Sequence, residues 1–121
     1  MNRLALIALA LAACGGSARF TGVAETLTVK RGVITATAAT LSTAGDLRGV
    51  YNLVGRSKVD GLIVSVEPST IDTSVEGNGS KVFSVFVDAT NSATSGTVEI
   101  IGTYRKDPTL TALRSIAVTV E

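Results

Sequence analysis

The sequence predicts an antiparallel β-sandwich of about seven strands, and three observations support that fold class. From Ala24 onward, apolar and polar residues alternate with a period of two rather than the 3.6 of a helix. Valine and threonine are abundant, and both suit a pleated, half-buried surface. Turn-forming residues recur about every ten residues, the spacing typical of sandwiches and barrels. The 121-residue length suits one such domain.

The first four predicted strands are separated by clear turn signals. They lie at residues 25–30, 33–41, 49–55 and 62–67. Arg31-Gly32 breaks the first pair, and the third strand places Tyr51 and Leu53 on one face. Pro68 ends the fourth strand, because proline has no amide hydrogen to donate to a ladder.

The second half continues the alternation. Its predicted strands lie at residues 81–88, 97–105 and 115–121, with a shorter edge segment at 71–75. Within 81–88, Phe83, Val85 and Val87 share the face predicted to point inward, whereas Val82 and Phe86 lie on the opposite face. The last strand turns Ile116 and its alternate neighbours inward. No segment carries a convincing amphipathic helix of about twelve residues.

The first thirteen residues predict a helical secretory signal peptide. Arg3 supplies a basic start, and residues 4–13 form an unbroken apolar run. That run is too short for a transmembrane helix, which needs about 20 apolar residues. We therefore expect the chain to be exported.

The end of this segment, Leu11-Ala12-Ala13-Cys14, resembles the lipobox of bacterial lipoproteins. That resemblance implies a lipid such as palmitate on Cys14, which becomes the first mature residue and anchors the protein in the cell-envelope membrane. Gly15 follows where an acidic residue would signal inner-membrane retention, so an outer-membrane location is implied if there are two membranes. We assign residues 14–23 to the lipidated cysteine and a flexible tether, and residues 24–121 to the sandwich.

Removal of residues 1–13 leaves ten basic and ten acidic side chains, because Arg3 is lost from eleven basic and ten acidic ones. A net charge near zero argues against dependence on anionic lipid headgroups, so the covalent lipid is expected to hold the protein alone.

Several segments resemble bacterial immunoglobulin-like and fibronectin-III-like repeats. The match comprises a valine-rich strand that ends in Pro-Ser-Thr at residues 66–71, an alternating strand at 83–87, and two closing strands around 95–98 and 116–120. It covers about residues 48 to 121 and implies an immunoglobulin-like connection of the strands. Val98 stands where many such domains place a corner tyrosine, and the usual disulfide pair and core tryptophan are absent from the sequence.

Composition excludes several kinds of chemistry. The chain has no histidine and a single cysteine, so neither a histidine-based triad nor a histidine-ligated metal site is available. The nearly balanced charge gives no footprint for nucleic acid. Asp72 and Glu76 would lie about 13 Å apart on one strand face, too far for a glycosidase pair. We therefore expect no enzyme activity, no cofactor and no metal.

Phe86 is the strongest indication of a protein partner. With Val82 on the same outward face it is expected to form a small apolar patch of the kind that marks interfaces. The leading hypothesis is a lipid-anchored, non-enzymatic envelope protein with a structural or protein-contact role. One alternative is a surface ligand- or glycan-binding module, which needs exposed aromatic platforms although Tyr51 and Tyr104 are predicted inward. The other is a small accessory subunit of a larger envelope assembly.

Overall fold

A computed structural model describes residues 8–9, 11–13, 15–75 and 79–121. This part of the chain contains no helix, and therefore none of the length and apolar character needed to cross a membrane. The strands are β1 (Ala8–Leu9), β2 (Leu11–Ala13), β3 (Gly16–Thr21), β4 (Thr26–Val29), β5 (Val33–Gly45), β6 (Val50–Ser57), β7 (Leu62–Glu67), β8 (Thr70–Asp72), β9 (Ser80–Ala89), β10 (Gly96–Tyr104) and β11 (Thr111–Val120).

The strands form two sheets. One has the order β2-β3-β5-β9-β7 with every pair antiparallel. The other has the order β1-β11-β10-β6-β8, and β4 pairs with β11 in parallel. Without the short strands β1, β2, β4 and β8, these are the four-stranded and three-stranded sheets of an immunoglobulin-type sandwich. The predicted fold class is confirmed.

The core lies between the two sheets and contains the faces that alternation predicted. Phe83, Val85 and Val87 of β9 are almost completely buried, as are Tyr51 of β6 and Ile100 of β10. The other fully or nearly fully buried large side chains are Leu41, Val29, Val98, Ile116 and Thr73. Alternation therefore identified the inward faces of β6, β7, β9, β10 and β11 correctly, because successive side chains of a strand point to opposite faces of its sheet.

The predicted tether is wrong over most of its length. Gly16–Thr21 forms β3, which pairs with β5 through six residue pairs. Ala18 is 0% and Phe20 4% exposed, and the Phe20 ring meets the Phe83 ring edge-on at 5.7 Å between centroids. The small residues at the start of this segment resemble a linker, but the alternation of Ala18 with Phe20 completes the core beside β5. The sandwich therefore begins near Gly16 rather than at residue 24.

The signal-peptide prediction falls mostly outside the described residues. Residues 1–7, Ala10 and Cys14 are not described, so the helix expected there and the lipidation of Cys14 are not tested. The described parts are extended rather than helical, since Ala8–Leu9 pairs with β11 and Leu11–Ala13 pairs with β3. Without these pairings, β3 and the Leu113–Arg114 part of β11 would be sheet edges, and an extended apolar segment can satisfy their backbone groups. These two pairings and β3 add three strands to the seven predicted ones and to the predicted edge segment, which corresponds to β8.

Two tyrosines fix the turn between β5 and β6. The Tyr51 hydroxyl donates to the Leu47 carbonyl at 2.6 Å, and the Tyr104 hydroxyl lies 3.1 and 3.3 Å from the carbonyls of Asp46 and Arg48. The two rings stack with centroids 5.0 Å apart. Burial, with a smaller contribution from Tyr104, raises the pKa of Tyr51 to about 12. The hydroxyls of Tyr51 and Tyr104 thus bind nearby backbone carbonyls, as a corner tyrosine does in other sandwiches. Val98 is a core residue.

Because Phe20 is a core residue, we expect Phe20→Ala to lower the free energy of unfolding by about 3–5 kcal/mol. Arg19→Ala is the matched control, since Arg19 lies on the exposed face of the same strand. It should change the same quantity by less than about 0.5 kcal/mol. Urea unfolding of the full chain measures both. Equal effects of the two substitutions would show that β3 is not part of the folded core.

Candidate protein-contact surface

The outer face of the β3-β5-β9-β7 sheet carries both residues predicted to contact a partner. Val82 is 68% exposed, and Phe86 is half-buried. Across the ladders, Phe86 lies opposite Ala36 on β5 and Ser65 on β7. Because these neighbours are small, the Phe86 ring remains partly exposed on the outer face of the sheet.

Val82 and Phe86 do not form the single patch that the sequence predicted. They are four residues apart on β9, about 13 Å along the strand, and Ser84 lies between them on the same face. A strand carries only every second side chain on one face, so an apolar cluster requires the neighbouring strands to contribute. The structure shows two separate apolar features, one around each residue.

The first feature combines Phe86 with Ile34 of β5 and Ile63 of β7. Both isoleucines lie in register with Asp88, one residue pair beyond Phe86 on the same face. They are 62% and 57% exposed, and such diagonal neighbours lie within reach of an aromatic ring. We call Ile34, Ala36, Ile63 and Phe86 the outer-sheet patch.

Sequence reasoning missed the two isoleucines of this patch. Alternation did put Ile63 on the face opposite Leu62, and Ile34 on a face with Ala36. What alternation does not contain is the register of β5 and β7 against β9, which brings the three strands' outward residues together. A search for isoleucine on polar-facing strand positions would have raised both residues as candidates.

The second feature is a groove of about 300 Å³ beside Val82. It is lined by Pro68, Thr70, Ile71, Asp72, Val75, Lys81 and Val82. Val75 is 67% exposed, so the apolar part of the groove is open to solvent. The Asp72 carboxylate accepts from the backbone N and the hydroxyl of Ser74 at 2.9 and 2.6 Å, and these hydrogen bonds lower its pKa.

The remaining candidate groups have structural partners. Tyr51 and Tyr104 are buried, so neither offers the exposed aromatic platform that a glycan-binding module uses. Glu99 is 6% exposed and lies 2.9 Å from Arg56 and 3.4 Å from Lys58, so two cations compensate this carboxylate. Within residues 15–75 and 79–121, no three acidic or thiol side chains gather in a group fit to hold a metal ion.

Comparison with known proteins supports the fold and goes no further. No family model matches the sequence, and no curated protein matches it. Domains 4 and 5 of the S-layer protein SbsC match in structure with a TM-score of 0.51 and 17% sequence identity, covering 93% of this chain. The chain spans about half (53%) of that S-layer structure. A chimeric titin Z1Z2 matches with a TM-score of 0.44 and 13% sequence identity, and the match covers 94% of this chain and 96% of the chimeric chain. The strand order of the two sheets and the S-layer match show that the chain is an immunoglobulin-like β-sandwich.

Phe83 and Phe86 provide a direct test of the two faces of β9. We expect Phe83→Ser to lower the free energy of unfolding by at least about 3 kcal/mol, because it leaves a cavity and buries a hydroxyl. Phe86→Ser should cost much less, since serine suits an exposed strand position beside Ala36 and Ser65. Thermal melts of the two variants provide the measurement. Equal losses of melting temperature would mean that Phe86 is a core residue and that the outer-sheet patch does not exist.

Proposed function

We propose that the protein is a lipid-anchored, non-enzymatic component of a bacterial cell envelope whose immunoglobulin-like domain binds another envelope protein. The observation that carries this proposal is the outer-sheet patch. Ile34 and Ile63 expose more than half of their surface, and on either side of Asp88 they lie diagonally from the half-buried Phe86 ring. Clusters of exposed large apolar side chains on a folded domain mark interaction sites.

The chemistry of the surface around the patch favours a protein partner over a small polar ligand. Ala36 of the patch and Ala38, the next outward residue of β5, are small and uncharged, and Ser84 lies opposite Ala38. The charged residues of this face, Asp88, Glu67 and Arg19, are spread over three strands rather than forming a converging set. Asp88 lies between the two isoleucines, so the patch combines exposed apolar side chains with one carboxylate and would be complemented by a protein surface of mixed character.

The anchor rests on the sequence that precedes the domain. Leu11-Ala12-Ala13-Cys14 has the lipobox pattern, with small residues before the only cysteine of the chain. Two or more acyl chains on that cysteine would hold the protein stably, since each buried methylene contributes about 0.8 kcal/mol. Because Gly15 replaces an acidic retention signal, the outer membrane is the proposed destination in a two-membrane envelope.

The anchor is tested with Cys14→Ser in a bacterial host that processes lipoproteins. We expect the unaltered protein to incorporate labelled palmitate and to remain in the membrane fraction. The variant should lose the label and appear in the soluble or precursor fraction, because no other thiol is available. Undiminished labelling and membrane retention of the variant would rule out the anchor.

The protein contact is tested with Ile63→Ser, and Val54→Ser is its matched control. Val54 is 55% exposed and also faces outward, but it lies on the other sheet. We expect Ile63→Ser to reduce recovery of a stoichiometric partner after gentle detergent extraction by about tenfold or more. The reason is that the variant loses the burial of one apolar side chain in the interface. Val54→Ser should recover the partner normally. Equal recovery with both folded variants would count against the outer-sheet patch as the interface.

A further inference from the structure

Two turns at one end of the sandwich lie side by side and form a basic groove. The groove measures about 350 Å³ and is lined by Arg48, Gly49, Val50, Tyr104, Arg105 and Lys106. One wall is the turn between β5 and β6, and the other is the start of the turn between β10 and β11. Apart from Tyr104, the ionisable side chains of the groove are the cations Arg48, Arg105 and Lys106, and all three are exposed.

Hydrogen bonds fix the backbone that carries Arg48 and Arg105. Arg48 N donates to the Gly45 carbonyl at 3.2 Å, which closes a tight turn, and the carbonyl of Arg48 accepts from Tyr104. Arg105 N donates to the Val50 carbonyl at 2.9 Å and ties the two walls together. A Cβ at Gly49 would lie 2.9 Å from the Tyr104 ring, so glycine permits this close approach. The groove is therefore preformed.

Among the described residues, no carboxylate lies within ion-pair distance of the three cations, although Asp46 and Asp107 lie on the same two turns. Among the described residues, ion pairs join Glu99 to Arg56 and Lys58, and none involves Arg48, Arg105 or Lys106. Arg105 donates to the amide oxygen of Asn52 at 2.9 Å, which is a neutral partner. Asp107 follows Lys106 in the chain, but its carboxylate accepts from the backbone N and hydroxyl of Thr109 at 3.2 and 2.7 Å. Three like charges in one groove repel one another, and an anionic phosphate would relieve that repulsion.

The groove lies at the end of the domain where the chain enters it. Asp46 N donates to the Gly15 carbonyl at 3.0 Å, and Gly16 pairs with Gly45. Gly45 and Arg48 are the two ends of the same tight turn, so their Cα atoms lie within about 7 Å. Residue 14 is joined directly to Gly15, with about 3.8 Å between Cα atoms. A lipid on residue 14 would therefore enter the membrane next to the groove.

We propose that this groove binds the phosphate headgroups of anionic phospholipids in the leaflet that receives the lipid of Cys14. This inference rests on the lipid anchor proposed above. The near-zero net charge of the mature chain does not oppose it, because a membrane surface acts on the cations within a Debye length of it and not on the whole molecule. With almost no tether between Gly15 and the domain, the anchor keeps the groove at a high effective concentration of headgroups.

The test measures binding of the full chain to vesicles of phosphatidylcholine alone and of phosphatidylcholine with 30% phosphatidylglycerol. Using the Cys14→Ser form removes the covalent lipid, and the basic and apolar segment before residue 14 is identical in every variant, so its contribution cancels when variants are compared. The groove variant is Arg48→Gln with Lys106→Gln. The matched control is Arg19→Gln with Lys30→Gln, which removes the same charge from exposed positions outside the groove.

We expect the unaltered groove to favour the anionic vesicles, and the groove variant to lower that preference by about 25-fold, or about fivefold for each cation at the surface. The control should lower it by less than about twofold. Equal effects of the two variants would overturn the proposal. So would saturable binding of inorganic phosphate without any preference for anionic vesicles, since that result describes a small-anion site.

The intact mass of the protein isolated from membranes separates this proposal from the anchor. Lipidated protein whose groove variant shows an unchanged vesicle preference leaves the anchor standing and overturns the headgroup site. Protein without lipid that still depends on Arg48 and Lys106 for anionic vesicles does the opposite.

Discussion

The pairing of β5 with β9 is the constraint on which the rest of the sandwich depends. It runs through ten residue pairs, and β3 and β7 add to its two sides. A slip of one residue would exchange the faces, bringing Phe86 into the core and Phe83 to the surface. The same register places Ile34 beside Asp88 on the outer face, and the β7–β9 register places Ile63 on the other side of Asp88. The two ladders of β9 therefore fix both the core face and the contact surface.

Sequence reasoning predicted what depends on period and missed what depends on register. The alternation around Phe83 and Leu53 assigned inward and outward faces correctly, since each face follows from neighbours two residues away. The approach of Ile63 to Phe86 depends on strands about 20 residues apart, and no local signal encodes it. The error over Gly16–Thr21 has a related cause, because its glycine and serine resemble a tether until β5 supplies the partner strand.

The net charge of the chain and the positions of its charged side chains likewise lead to different expectations. Without the proposed signal peptide, the chain would have ten basic and ten acidic side chains, which suggests indifference to a charged surface. In the fold, however, Glu99 pairs with Arg56 and Lys58 on the outer face of a sheet, whereas no described carboxylate forms an ion pair with the three cations of the groove. The hydroxyls of Tyr51 and Tyr104 hold the turn that carries Arg48, so the buried core also positions this surface charge.

The two proposed contacts lie far enough apart to be made at the same time. Ile34 of the outer-sheet patch and Gly45 beside the chain entry lie on the same strand, eleven residues apart. At about 3.3 Å per residue this separation is about 36 Å, reduced somewhat by twist. With Gly15 held next to the membrane, the patch would stand well above the headgroups and face sideways. A partner that binds there must itself project from the same membrane or reach it from the far side, and a partner confined to the headgroup layer cannot touch it.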